Sequence, residues 1–360
     1  MTRSTIVGTL LAVATATAGI SAETHRYAPS AFYSTYSGAH APALRIKSGD
    51  TVITATVDDT GAGAEGKPMA SGANPQTGPF YVEGAEPGDM LVVTIEKLTP
   101  NRTTGMSTST IAGNALAPGA LEGKPDATRF PWTIDKAKGV VRFDLQALAP
   151  NVDWRARFAS ASFELPLRPM LGSIGVAPAG SNAPAATMTG TFGGNLVSTG
   201  VAAGSRVMLP VYQSGALLFL GNGQARHGDG AITGTGIETS MDVEFSVEVV
   251  KKKAWPHSSI MRPSTVAGEF EQGWPRIENA DYIMTAGSAA SLQQALQVAT
   301  LEMHHWLDDD YGLSEKSVTL LVGQAIEYEI ASVGDQNTVV ARIRKSYLPQ
   351  PAGALQSLTQ

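Results

Sequence analysis

Two short segments of this chain concentrate the side chains that could do chemistry. The first, residues 74–89 (NPQTGPFYVEGAEPGD), places Glu83 after a short apolar run, between turn-forming Asn-Pro, Gly-Pro and Glu-Pro-Gly-Asp sequences. Stiff turns on both sides would hold the Glu83 carboxylate in one place, as catalysis requires. We therefore predict that Glu83 is catalytic. The alternative interpretation is a pair of β-turns that carries exposed acids.

The second segment is glycine-rich and runs from Gly221 to Glu238 (GNGQARHGDGAITGTGIE). Its glycines allow backbone conformations that other residues resist, so that His227, Asp229 and Glu238 could converge. Imidazole and carboxylate groups without a thiol are a ligand set for a hydrolytic zinc or a harder cation. The alternative is a glycine-rich hairpin with a His-Gly-Asp-Gly turn at the surface.

Other catalytic chemistries lack their residues. The chain has no cysteine, which excludes a thiol nucleophile, a thiolate metal ligand and a disulfide framework. It has no Gly-x-Ser-x-Gly nucleophile elbow, no phosphate-binding loop ending in Gly-Lys-Ser/Thr, and no dinucleotide fingerprint that opens a helix. Any metal would therefore be held by His, Asp, Glu or other oxygen donors.

The first 22 residues are predicted to be a signal peptide. Arg3 precedes an apolar, uncharged stretch, and Ile20-Ser21-Ala22 resembles a cleavage site, which predicts a periplasmic or secreted protein cut near Ala22. Removing Arg3 with this segment changes the net charge from −6 to −7. A negative charge argues against nucleic acid or an anionic membrane as partner. No other segment is apolar enough to span a membrane.

The elements that must position these side chains are mostly strands. The 38 glycines and 21 prolines favour short strands and tight turns, and the alternating Asp242–Val249 segment predicts a strand with one buried face. One helix is predicted to begin after Ser288 or Ser291 and to end at Gly312, and a second to run from Ser314 to about Ala325. We predict a mainly β fold with three parts, 23–165, 166–285 and an α/β part at 286–360.

Taken together, the motifs of this chain resemble the acetamidase/formamidase family over nearly all of residues 23–350. The resemblance rests on the 74–89 block, the Lys47–Val52 turn, residues 167–178 (LRPMLGSIGVAP), Gly193-Gly194-Asn195, Ser214-Gly215-Ala216, the 227–238 segment and the C-terminal helix. It implies a mainly β fold with a jelly-roll-like β-sandwich, a barrel-like β region and an α/β end. It also implies hydrolysis of a short linear amide to a carboxylate and ammonia, with a divalent metal bound in some members.

The chain departs from the family pattern within the glycine-rich segment. Positions that usually hold an Asp, a His and a Glu are occupied by Asn222, Gln224 and Ala231, and Val197 stands where an acid is usual. Asparagine and glutamine keep hydrogen-bonding capacity but lose the charge that a metal or a general base requires. Ala231 keeps neither property.

Two functions therefore remain open. The first is an amidase that acts through metal-activated water, with Glu83, Asp229 and Glu238 as catalytic residues and Asp58, His227 and Asp229 as ligands of a divalent metal such as zinc. Asp58 is included because it ends the predicted Thr51–Val57 strand at a glycine-rich loop. The second is a catalytically impaired, exported homologue that binds a small molecule. A small amide is the expected partner, and a homo-oligomer is compatible with either function.

Overall fold

The computed structural model describes residues 22–120, 128–252, 261–263 and 270–349. The strands are β1 Thr24–Arg26, β2 Phe32–Tyr33, β3 Leu44–Lys47, β4 Thr51–Ala55, β5 Gln76–Glu83, β6 Met90–Pro100, β7 Thr104–Thr108, β8 Arg129–Asp135, β9 Val140–Asp144, β10 Ser162–Pro166, β11 Met170–Val176, β12 Thr189–Gly190, β13 Gly193–Gly194, β14 Arg206–Pro210, β15 Leu218–Gln224, β16 Met241–Val250, β17 Met261–Pro263, β18 Phe270–Gln272, β19 Arg276–Glu278, β20 Tyr282–Ala289, β21 Glu327–Ser332 and β22 Asn337–Arg344. Two α-helices occur in these ranges, α1 Leu292–Tyr311 and α2 Glu315–Ala325.

Two large sheets organise the described residues. One has nine strands in the order β1-β4-β16-β6-β14-β19-β20-β22-β21, and the other has seven, β12-β13-β11-β15-β5-β2 with β3 beside β5. A four-stranded sheet, β10-β9-β8-β7, and the β17-β18 pair complete the strands. One of the sheets curls into a half-barrel. The site described below lies where the end of β15 approaches β21, which forms one edge of the nine-stranded sheet.

Apolar side chains from both large sheets form a common core. Val243, Phe245 and Val247 of β16 are buried while their neighbours in the strand are more exposed, as the alternating sequence predicts. Phe245 meets Phe80 of β5 edge to face, with ring centroids 5.2 Å apart, in a geometry that aromatic quadrupoles favour. The same cluster includes Leu220 of β15, so the strand that leads to the site is fixed by the core.

The C-terminal helices begin and end as predicted. The Ser291 hydroxyl caps α1 by accepting a hydrogen bond from Gln294 N, and Gly312 ends the helix in the left-handed conformation. Ser314 caps α2 in the same way. The buried face of α1, which includes Ala299 and Met303, packs against the nine-stranded sheet. This packing covers one face of the sheet close to the strands that line the site.

The predicted fold class, mainly β with a smaller helix-containing C-terminal part, is confirmed. The nine-stranded sheet takes strands from each of the three predicted parts, which are therefore joined by continuous backbone pairing. Their boundaries stay predictions. Of the predicted signal peptide, only Ala22 belongs to the described residues. No helix within the described ranges is long and apolar enough to cross a membrane.

Candidate active site

The glycine-rich segment folds back on itself directly after β15. Ala225 N donates to Ile237 O at 2.8 Å, and Ile237 N donates to Arg226 O at 2.8 Å. Between these paired residues, a short turn at Asp229–Ala231 contains Gly230 with φ of 83°, a conformation that glycine adopts without strain. Val333 N donates to Gly230 O at 2.8 Å. The segment is thereby held against the chain just beyond β21.

His227 is buried in this segment and is held in one tautomer. Its Nε2 lies 3.1 Å from the carbonyl oxygen of Ala331 in β21. Because a carbonyl only accepts, Nε2 carries the hydrogen and Nδ1 is left with a free lone pair. Nδ1 is buried and has no hydrogen-bond partner among the described residues. Burial lowers the pKa of His227 from its ordinary value of 6.5, although the Ala331 contact and the nearby Asp229 charge oppose this.

Glu329 is the second buried titratable group near this point. It is 3% exposed, and its Oε1 accepts a hydrogen bond from Thr199 N at 2.8 Å. Its Oε2 is buried and, within the described chain, has no hydrogen-bond partner. Burial raises the pKa of Glu329 above its ordinary value of 4.5, and the Asp229 charge acts in the same direction. The hydrogen bonds from Thr199 oppose this shift, and the net effect makes Glu329 easier to protonate than a carboxyl group in water.

His227 and Glu329 line the same cleft, which has a volume of about 720 Å³. Its lining is Leu98, Arg168, Pro169, Thr199, Ala202, Ala203, Arg226, His227, Gly228, Asp229, Tyr328, Glu329 and Arg342. Buried polar atoms without a partner are rare in folded proteins and call for an explanation. Both atoms are buried, so a ligand or water would have to reach below the surface of the cleft to supply the missing partners. The lining combines an imidazole whose pKa is lowered, a carboxyl group whose pKa is raised, and the exposed carboxylate of Asp229.

A hydrogen-bonded chain of neutral side chains includes Asn222 and Gln224, the two positions where the sequence resemblance leads us to expect charged residues. Asn222 Nδ2 donates to Asn195 Oδ1 at 3.0 Å, and the Ser173 hydroxyl donates to the same oxygen at 3.1 Å. Asn74 Nδ2 donates to Ser173 Oγ at 3.0 Å, and Gln224 Nε2 approaches Asn222 Oδ1 at 3.5 Å. Asn222 and Gln224 are thus built into a hydrogen-bonded network inside the protein.

Glu238 lies beside this network, away from solvent. Its Oε1 accepts a hydrogen bond from Gly236 N at 2.8 Å, and its backbone bridges to Gln224. Glu238 Oε2 and Gln224 Oε1 are both buried and without a hydrogen-bond partner in the described part of the chain. Burial, reinforced by the charge of Asp59, raises the pKa of Glu238 well above its ordinary value. If Glu238 is protonated on Oε2, this oxygen becomes a hydrogen-bond donor, and Gln224 Oε1 is an acceptor without a partner among the described residues.

Asp58 is engaged in a buried ion pair. Its Oδ2 accepts a hydrogen bond from Arg102 Nη2 at 2.6 Å, and its Oδ1 accepts from Thr60 N, Thr60 Oγ1 and Ala62 N. Although burial acts to raise it, the pKa of Asp58 is lowered by these hydrogen bonds and by the Arg102 charge. Its oxygens are already satisfied by the protein. This position fits a structural role that closes the loop after β4.

The structure does not bring Glu83 to this site. Glu83 is the last residue of β5 and its side chain is 42% exposed, in an ion pair with Arg45 at 3.4 Å. Asn74 lies just before the first residue of β5, whereas Glu83 is its last residue. Because a strand rises about 3.3 Å per residue, Glu83 is separated from Asn74 and the buried network by the length of β5. The alternative interpretation, a turn pair with exposed acids, describes its position.

The predicted metal ligands do not form a metal site. Asp58 binds Arg102, whereas His227 faces β21 and lines the cleft with Asp229. Within the described ranges, no three His, Cys, Asp or Glu residues are grouped so that they could hold a metal ion. The neutral amides at 222 and 224 also lack the charge and ligand strength of carboxylate and imidazole. The donor set therefore does not fit a divalent metal at either place.

The sequence analysis missed Glu329, Thr199 and the role of Asn74. The burial pattern of β21 places Glu329 and Ala331 inward, while Tyr328 and Ile330 face outward. An alternating sequence would usually be assigned the opposite faces, because apolar side chains are expected inward. The backbone pairing that decides this register is not visible in the sequence.

Comparisons with known proteins agree with this fold. Residues 167–344 match the model of the Acetamidase/Formamidase family. An acetamidase of Mycolicibacterium smegmatis is 28% identical over 235 residues, and this match spans 58% of that protein's length. The crystal structure of an acetamidase from Yersinia enterocolitica is 26% identical, covers 92% of this chain and 95% of its own, and has a TM-score of 0.73. A predicted acetamidase/formamidase from Thermoanaerobacter tengcongensis is 26% identical, with 91% and 97% coverage and a TM-score of 0.69.

The fold thus places the chain among mainly β proteins that share the architecture of solved acetamidases. Residues 167–344 of this chain belong to the acetamidase/formamidase family, as the motifs at 167–178 and 227–238 indicate. The matched range contains the whole cleft-lining set except Leu98.

Glu329→Gln should stabilise the protein increasingly as pH rises. Because the pKa of Glu329 is raised in the folded state, the contribution of protonated Glu329 to the free energy of unfolding is fully present below pH 4.5. This contribution is lost as pH rises through the folded-state pKa. Glutamine keeps an oxygen to accept from Thr199 N and has no charge to bury. The free energies of unfolding of variant and wild type, measured by urea denaturation from pH 4 upward, should diverge by about 1.4 kcal/mol for each unit by which the pKa is raised.

Glu83→Gln is the matched control, because it makes the same chemical change on an exposed side chain. It should change the free energy of unfolding by no more than about 0.5 kcal/mol at any pH. A pH-independent difference for Glu329→Gln would contradict the assignment of Glu329 as a buried acid.

Proposed function

We propose that this chain hydrolyses a small amide to a carboxylate and ammonia in the 720 Å³ cleft. The observation that carries the proposal is the pair of buried, unpartnered atoms, His227 Nδ1 and Glu329 Oε2, on residues lining one cleft. Environments that push the pKa of a base down and of an acid up are typical of catalytic sites. Membership of a family named for acetamidases and formamidases supports the reaction class.

His227 provides the base. A water molecule beside Nδ1 gives up a proton to the imidazole as its oxygen attacks the amide carbonyl carbon. The Ala331 carbonyl holds the ring through Nε2, and the nearby Asp229 carboxylate stabilises the imidazolium that forms. The imidazolium then returns the proton to the amide nitrogen, so that the C–N bond breaks with ammonia as the leaving group.

Glu329 provides the acid. In its protonated form, Oε2–H donates a hydrogen bond to the carbonyl oxygen of the amide, where negative charge develops during attack. Thr199 N holds the other carboxyl oxygen, which leaves Oε2 for the substrate. Among the described residues, no three His, Cys, Asp or Glu side chains are grouped to hold a metal ion, so the proposed reaction uses His227 and Glu329 alone. Zinc binding, export and a homo-oligomer stay predictions from the sequence.

A second candidate function is favoured by one specific observation. Asn222 and Gln224 stand where the sequence resemblance leads us to expect an acid and a histidine. Both form hydrogen bonds within a buried network of neutral side chains. A chain that replaced a charged centre in this way could bind an amide without hydrolysing it. The two candidates differ in whether ammonia is released.

His227→Gln should abolish ammonia release. Glutamine can still reach the Ala331 carbonyl but offers no base, so we expect kcat to fall by about 10²–10⁴-fold. Ammonia released from formamide, acetamide and propionamide by the purified chain would be followed with a coupled assay. Glu83→Gln, which changes an exposed carboxylate outside the cleft, should keep turnover within about twofold of wild type.

Two results would decide against this assignment. No ammonia from any of these amides at high protein concentration, combined with measurable amide binding, would favour the binding homologue. Near-normal turnover by His227→Gln, with a large loss in Glu83→Gln, would move the active centre away from the cleft.

The pH dependence of kcat/KM should show an acidic limb that reports the ionisation of His227 and an alkaline limb that reports the ionisation of Glu329. His227 acts as the neutral imidazole, so activity falls as pH drops through a folded-state pKa below 6.5. Glu329 acts as the protonated acid, so activity falls as pH rises through a pKa above 4.5. In Glu329→Gln the amide NH₂ cannot ionise, and the alkaline loss should disappear. An alkaline limb that persists unchanged in this variant would exclude Glu329 as the acid.

A further inference from the structure

Two arginines lie next to each other in the lining of the cleft. Arg168 stands in the connection between β10 and β11, and its backbone N–H donates to Ala225 O at 2.9 Å. This bond places it beside Arg226, the residue that precedes His227. Arg226 Nη1 donates to Pro166 O at 2.8 Å, which fixes its guanidinium over the same connection. Both arginines line the cleft.

Neither arginine has a carboxylate partner within the described chain. Arg342, which also lines the cleft, is neutralised by Glu327 at 3.0 Å, whereas no ion pair forms at Arg168 or Arg226 among the described residues. Burial and the charge of Arg168 lower the pKa of Arg226, which reflects the proximity of two like charges. Guanidinium groups stay protonated and match a carboxylate with paired hydrogen bonds.

The cleft therefore has two chemically different ends. Arg168 is exposed and Arg226 half-buried, while His227 and Glu329 are 7% and 3% exposed. A volume of about 720 Å³ is within the range of sites that enclose drug-sized ligands, about 300–1,000 Å³. Formamide or acetamide would fill a small part of it and would leave the arginines without a partner.

We propose that Arg168 and Arg226 form a carboxylate subsite, and that the substrate class is the monoamide of a short dicarboxylic acid. The amide group lies between His227 and Glu329, and the free carboxylate of the same molecule lies at the arginine pair. Hydrolysis adds water across the C–N bond and gives the dicarboxylate and ammonia. This inference rests on the proposed function for the reaction but not for the binding of the anion.

The test is the affinity for three ligands of similar size, measured by calorimetry at low salt. Succinamate carries the amide and the carboxylate, its methyl ester carries the amide alone, and succinate carries only the carboxylates. Succinamate should bind about tenfold or more tightly than its ester, as a charge-assisted pair predicts. Succinate should bind as well, and both affinities should fall as salt rises.

Arg168→Gln and Arg226→Gln should each remove most of the preference for succinamate over its ester. Arg168→Lys and Arg226→Lys, which keep the charge, should keep part of it, and thermal unfolding would confirm that all four variants fold. Arg45→Gln removes one positive charge outside the cleft and should leave the preference unchanged. Equal binding of succinamate and its ester by wild type, or a preference that survives both glutamine variants, would overturn the subsite.

The outcomes also separate this inference from the proposed function. If succinate and succinamate bind through the arginines but no ammonia is released, the subsite stands and the hydrolase assignment fails. If neutral and anionic amides are hydrolysed with equal kcat/KM, the hydrolase assignment stands and the subsite fails.

Discussion

The geometry of the cleft depends on one hydrogen bond, from His227 Nε2 to the carbonyl oxygen of Ala331. This bond fixes the imidazole tautomer and leaves Nδ1 with a free lone pair. Together with the bond from Val333 N to Gly230 O, it ties the segment after β15 to the edge strand β21. Glu329 belongs to that strand, so the same attachment brings the proposed base and the proposed acid to one cleft.

The protein contains two kinds of buried polar group, those that have a hydrogen-bond partner within the described chain and those that do not. Asp58 and Arg102 satisfy each other at 2.6 Å, and the amides around Asn195 form a connected network. Removing one member of such a pair destabilises the fold, because its buried partner is left unsatisfied. Gln224 Oε1 and Glu238 Oε2 have no partner among the described residues, and the same is true of His227 Nδ1 and Glu329 Oε2. Of these four residues, His227 and Glu329 are the two that line the cleft. Their burial costs stability without compensation inside the protein, which is typical of groups that bind or transform a ligand.

Much of this architecture could be predicted from the sequence, because local patterns specify strands and helix ends. The caps at Ser291 and Gly312 and the alternating strand β16 can be predicted on that basis. His227 and Asp229, which the glycine-rich sequence suggests as site residues, both line the cleft. What could not be predicted depends on pairing between distant strands. The inward orientation of Glu329 follows from the register of β21 against β22. The exposure of Glu83 follows from its position at the far end of β5, which turn-forming residues alone do not reveal.

The central claim, that His227 is a neutral base with a free Nδ1 in the cleft, is tested most directly by nitrogen NMR of histidine-labelled protein. The resonances absent in His227→Gln identify this side chain among the six histidines. We expect a proton on Nε2, an unprotonated Nδ1 at neutral pH, titration below 6.5, and a shift of the Nδ1 resonance when an amide ligand saturates the cleft. A proton on Nδ1, a charged imidazole at neutral pH, or no response to ligand would contradict it.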